Sequence, residues 1–120
     1  MPATSFDATV RSAGGRAVID LRGQIDGTAK DALGAIYEHA IAGDADDVLL
    51  NFAGVDYINS TGIALIVGLL GRARAEGRTL AACGLSEHYR EIFEITRLAD
   101  FIAIYSDEAS ATADDEEDPR

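Results

Sequence analysis

The sequence predicts an α/β domain: a mixed four- to five-stranded sheet with helices packed largely on one side. Three observations predict it. Two strand-like segments near the start flank a Ser-Ala-Gly-Gly turn. After them, short apolar runs alternate with helical patterns, the rhythm of strand–helix–strand units. The chain is also 48% hydrophobic and 26% charged over 120 residues, the balance of one domain with its own core.

The elements follow in order. Phe6 to Arg11 and Arg16 to Leu21 read as strands, with Ser12 to Gly15 as a hairpin turn. Thr28, with Asp31 three residues on, resembles a capping box and opens a helix. Ala29, Ala32, Leu33, Ile36, Tyr37, Ala40 and Ile41 then fall on one helical face. Val48 to Phe52, Thr79 to Cys83 and Phe101 to Tyr105 have the length of buried strands. Between them, Ser60 to Glu76 and about Ser86 to Thr96 carry helical spacing, the former stopped by Gly77. The domain is expected over residues 1–106. Residues 107–120 contain nothing apolar larger than alanine and are expected to form an acidic disordered tail, so that removing them leaves folding nearly unchanged.

Charge narrows the function. The net charge is −11; seven acidic residues and one basic residue lie in 107–120, fourteen and nine in 1–106. An acidic chain lacks the basic patches that neutralise phosphates, so neither nucleic acid nor anionic lipid is an expected partner. The start has no basic stretch followed by an apolar run, and the longest apolar run, Ile63 to Leu70, is interrupted by Gly68. The single cysteine, Cys83, cannot form an intrachain disulfide and closes an apolar strand as an inert thiol. A cytoplasmic protein without membrane insertion is the expectation.

No catalytic constellation is visible. His39 and His88 lie in different helices without ligand partners at metal-binding spacing, so no metal is expected. No phosphate-cradling glycine loop and no nucleophile elbow occurs, and no cofactor is expected. The informative stretch is Val55 to Gly77, where a strand runs through Asn59-Ser60-Thr61-Gly62 into a helix. Ser60 stands at or next to the N-cap, and two roles are open to it. It caps the helix, a contribution of about 1 kcal/mol, or it accepts a phosphate, which a helix start tolerates. Ile63, Ile66, Val67, Leu70 and Ala73 form a face for the sheet; Leu65 and Leu69 point elsewhere, toward a partner or toward neighbours in the same fold.

Tyr57-Ile58-Asn59-Ser60-Thr61-Gly62-Ile63-Ala64-Leu65 resembles the signature of STAS-domain anti-sigma-factor antagonists. Asp20 to Asp26 resembles that family's early strand and acidic loop, and Glu91 to Leu98 its last helix, so the similarity spans about residues 6–106. The resemblance implies a non-enzymatic switch. The unphosphorylated protein binds an anti-sigma factor kinase and releases the sigma factor, the kinase phosphorylates the serine, and a phosphoserine phosphatase resets it. Matched residue by residue, Ser60 is the phosphoacceptor, Thr61 its hydroxyl neighbour, Gly62 the small residue of the first turn, and Asp26 the acidic residue of the nearby loop. The expected partner surface is Asp26, Asn59, Thr61, Gly62, Leu65 and Leu69. Asn59 departs from the family, whose phosphorylated members usually carry aspartate there. The alternative reading is a non-phosphorylated STAS interaction subunit of a stressosome-like or lipid-transport ATPase assembly.

Overall fold

Gly14 and Gly15 both take positive φ, +62° and +84°, the backbone of a two-residue hairpin turn whose twist matches the flanking strands. They join β1 (Asp7–Ala13) to β2 (Arg16–Ile25) as an antiparallel pair. In the computed structural model, which describes residues 6–43 and 45–111, the chain then alternates. A 3-10 turn (Gly27–Ala29) leads into α1 (Lys30–Ile41), followed by β3 (Asp47–Ile58), α2 (Ser60–Ala75), β4 (Thr79–Cys83), α3 (Glu87–Ile95), a second 3-10 turn (Leu98–Asp100) and β5 (Ala103–Tyr105). The sheet order is β1-β2-β3-β4-β5, with β2 to β5 parallel.

Alternation in the strands sends two sets of side chains to opposite faces. Ile19, Leu21, Leu50, Phe52, Leu80 and Ala82 meet Leu33 and Tyr37 of α1, Ile66, Leu69, Leu70 and Ala73 of α2, and Phe93 of α3 in one core. All three helices therefore cover one face, as expected. Phe93 places its ring edge-on to Phe52, at 6.0 Å between centroids. No helix among the described residues is long and apolar enough to cross a membrane.

The opposite face corrects the expected tail. Residues 108–111 form a helical turn, with Asp107 Oδ1 accepting the Ser110 N–H at 2.8 Å. The turn lies on the sheet's other side, where Ala111 packs fully buried against Val18, Leu49 and Cys83. Glu108 pairs with both terminal nitrogens of Arg11, at 2.5 and 2.8 Å. Small side chains and charges thus order residues 107–111: the methyl group of Ala111 fits a shallow apolar strip and Arg11 holds the carboxylate. Residues 112–120 of the expected tail lie outside the described residues.

Two further boundaries move. Asp26, not Thr28, caps the first helical turn, accepting the Thr28 N–H at 2.9 Å. β3 continues well past Phe52 because β2 pairs with it as far as Ile25↔Ile58, through two register shifts that give β3 extra residues. β4 stops pairing at Asn51↔Cys83. The end of β3 is thus a projecting arm, and it carries Ser60.

Candidate functional site

The arm ends where two loops touch. The Asn59 N–H donates to the Ile25 carbonyl at 3.2 Å, tying the β3–α2 loop to the loop after β2. Asn59 is the N-cap of α2: its extended backbone (φ −94°, ψ −178°) turns the chain, and its Oδ1 accepts the Gly62 N–H at 2.8 Å. Ser60 is the first helical residue, exposed, and its hydroxyl takes no part in the cap. Capping belongs to Asn59, so the Ser60 hydroxyl is available for other chemistry.

Gly62 explains how closely the loops approach. A Cβ on Gly62 would stand 2.0 Å from the Ile25 carbonyl oxygen and 2.8 Å from its carbon, so only glycine fits without moving backbone. Thr61 Cγ2 lies 3.4 Å from where a Cβ on Gly27 would be. Asp26 stands one residue from these contacts, its carboxyl held below the usual carboxylate range by hydrogen bonds from the Thr28 hydroxyl and N–H. Asp26, Asn59, Ser60, Thr61 and Gly62 are therefore brought together, but Gly62, expected on the partner surface, is buried against the end of β2.

Two helix positions are not where periodicity put them. Leu69 is 7% exposed and belongs to the core, while Val67 is 46% exposed. Leu65 and Ile63 are half-buried against the core. Gly62 gives the physical reason. Its close contact with β2 fixes the rotation of α2, and the buried residues follow from it: Gly62, Ile66, Leu69, Leu70 and Ala73, at +4, +7, +8 and +11. Ser60, Thr61, Ala64, Val67, Gly68 and Gly71 form the exposed face instead. From Ser60 to Gly71 the helix carries no ionisable side chain. Tyr57, 49% exposed, stands just before it.

Sequence reasoning missed one contact. The Ile58 N–H, beyond the reach of β4, donates to the Tyr89 hydroxyl of α3 at 2.9 Å. Tyr89 lies within the segment expected to be helical, and no local signal in the sequence joins it to the arm. Elsewhere His39 and His88 are exposed, and no cluster of three metal-binding side chains occurs among the described residues. The Cys83 thiol is fully buried, and burial pushes its pKa up to about 11.

The chain's likenesses agree with this architecture. It is 38% identical over 58 residues to an anti-sigma-B factor antagonist of Staphylococcus epidermidis; the match covers 48% of this chain and 54% of that one. The chain thus spans about half the length of the curated relatives it matches. Its fold is similar to an anti-sigma factor antagonist from Mycobacterium paratuberculosis, with a TM-score of 0.81 at 17% identity, covering 94% of this chain and 96% of the other. It is also similar to the Bacillus cell fate determinant SpoIIAA in its phosphorylated form, with a TM-score of 0.65 at 21% identity, covering 89% and 96%. The STAS domain family model matches residues 7–111, from the first strand to the turn that closes the back of the sheet, and the chain belongs to the STAS domain family.

Proposed function

We propose that this chain is an anti-sigma-factor antagonist, a binding surface and phosphate acceptor whose catalysis is supplied by its partner. The observation that carries the reading is Ser60: exposed, first in α2, unused by the cap, and at one end of an uncharged helix face. The names of the curated relatives support it.

Unphosphorylated, the face of Ser60, Thr61, Ala64, Val67, Gly68 and Gly71 docks on an anti-sigma factor kinase, small residues allowing close approach, and the sigma factor is released. The Ser60 Oγ then attacks the γ-phosphorus of ATP held by the kinase. An O–P bond forms, the bond to the β-phosphate oxygen breaks, the hydroxyl proton passes to a kinase base, and ADP leaves. The product carries about −1.5 to −2 charges. It is tolerated locally, because the first turn offers N–H groups without helical partners and the positive end of the dipole. It ends docking, because that charge must be desolvated against an apolar contact. A phosphoserine phosphatase restores the hydroxyl. Asn59 keeps the cap that an aspartate would give but brings no negative charge beside Ser60.

The test is incubation with an anti-sigma factor kinase and ATP, followed by mass spectrometry and binding measurements. Phosphate is expected on Ser60 alone. Ser60→Asp should weaken kinase binding at least tenfold without lowering stability, and Ser60→Ala should bind but accept no phosphate. Phosphate on Thr61 with Ser60 untouched would refute the assignment. Tight binding with no phosphate at all would favour a non-phosphorylated interaction subunit instead.

A further inference from the structure

We propose that Tyr89 is a positioning residue for Ser60, its hydroxyl acting as the missing strand partner at the tip of the projecting arm. The inference rests on the reading of Ser60 as a phosphoacceptor and adds a residue to it.

The argument starts from a backbone group. β4 pairs with β3 only as far as Asn51↔Cys83, while β3 runs on to Ile58. Beyond that point, among the described residues, no strand pairs with the β4 side of the arm to accept its N–H groups. On the other side, Ile58 pairs with Ile25 of β2. The Ile58 side chain is buried, so its N–H requires an acceptor from the protein itself. Tyr89 Oη provides it at 2.9 Å. The next N–H along, that of Asn59, donates to the Ile25 carbonyl at 3.2 Å on the β2 side. Two successive N–H groups therefore anchor the chain to two different elements immediately before Ser60. One anchor comes from β2 and the other from α3.

α3 is itself firmly seated. Ser86 caps it, accepting the Tyr89 N–H at 3.2 Å, and Phe93 is fully buried against Phe52. The Tyr89 ring is half-buried against the core with His88 at its edge, centroids 4.9 Å apart. The hydroxyl thus reaches the arm from a rigid base, as preorganisation of a reacting group requires. Among the described residues, no hydrogen bond joins the Tyr89 hydroxyl to the exposed face of α2. Tyr89 is therefore expected to govern how precisely the Ser60 hydroxyl is presented, and not how tightly the kinase docks.

Tyr89→Phe removes the acceptor and keeps the ring, so the packing of α3 is retained. Two measurements on the full chain separate positioning from structure. In amide hydrogen exchange of the free protein, protection at Ile58 is expected to fall at least tenfold while Leu49 and Leu50 keep theirs. With kinase and ATP, kcat for phosphate transfer to Ser60 is expected to drop about tenfold, with KM within twofold of wild type. Tyr89→Leu, which also removes the ring, should add a lower melting temperature to the same loss. Unchanged protection at Ile58 in Tyr89→Phe would overturn the proposal, as would unchanged kcat or a rise in KM alone. A wild-type chain that accepts no phosphate would overturn both this proposal and the reading of Ser60. Altered exchange with normal phosphate transfer would overturn only the part assigned to Tyr89.

Discussion

Three glycines of α2 should respond to alanine in opposite ways. At Gly68 and Gly71 no heavy atom lies within 4 Å of where a Cβ would stand, and both residues are exposed. Alanine in a helix interior is favoured over glycine by about 0.8–1.0 kcal/mol, so Gly68→Ala with Gly71→Ala should stabilise the fold by about 2 kcal/mol. For a domain of this size that is a rise in melting temperature of about 6–10 °C. At Gly62 the same gain meets a contact of 2.0 Å with the Ile25 carbonyl oxygen. Overpacking of this kind costs about 1–3 kcal/mol or more, and because backbone and not a flexible side chain is struck, the upper end applies. Gly62→Ala should therefore be destabilised by about 1–2 kcal/mol net. Function should run against stability. The two added methyl groups stand on the proposed docking face, so the stabilised double variant should bind the anti-sigma factor kinase at least tenfold more weakly. Thermal unfolding by circular dichroism and calorimetric titration read the two quantities. A double variant that is more stable and binds as well as wild type would refute the assigned docking face. A Gly62→Ala chain as stable as wild type would refute the role of Gly62 in seating the helix.

Two shorter predictions test the cap and the back of the sheet. Because Asn59 accepts the Gly62 N–H, Asn59→Ala should cost about 1 kcal/mol in chemical denaturation, whereas Ser60→Ala should change stability by less than about 0.5 kcal/mol; equal losses would return the cap to Ser60. In the full chain at pH 8, a Cys83 pKa of about 11 leaves about one thiol in a thousand ionised, so alkylation should be slow; ending the chain after Ser106 should accelerate it at least tenfold, ending it after Ala111 should not, and equal rates in all three chains would refute the packing of residues 107–111 over Cys83.

Much of the fold is legible in the sequence because its central strands are short apolar runs and its turn is Gly-Gly. Val48 to Phe52 and Thr79 to Cys83 are found as short apolar runs, and Ser60 by the passage from a strand through Asn59-Ser60-Thr61-Gly62 into a helical pattern and by its match to the STAS signature. Besides the Tyr89 contact, three features were not legible, each for a physical reason. The arm of β3 past Phe52 reads Ala-Gly-Val-Asp-Tyr before Ile58, with few apolar residues, since β2 is the one strand that pairs with it among the described residues. Residues 107–111 read as tail because their order depends on one alanine methyl group and on Arg11, 97 residues from Glu108. The rotation of α2 was misjudged because Val67 and Leu69 are equally apolar. Hydrophobicity could not choose between them; a steric contact at Gly62 did. Read forward from Gly62, the spacing +4, +7, +8 and +11 would have found the true core face, leaving Val67 outside.

The division of labour around Ser60 bears on why a switch can work at this position at all. A serine that capped its own helix would lose that hydrogen bond on phosphorylation or would have to remake it through the phosphate, and each turn of the switch would disturb the fold. Here the cap is the Asn59 side chain, the seat of the helix is Gly62 against Ile25, and the preceding backbone is held by the Ile25 carbonyl and the Tyr89 hydroxyl. None of these bonds uses the Ser60 side chain. Under the proposed function, the residue that would change charge is energetically separate from the residues that hold it, so a phosphate added there would have little of the domain's marginal stability to remove. Its free energy would instead be expressed where the proposed docking face of α2 meets a partner, which is the property a reversible docking switch requires.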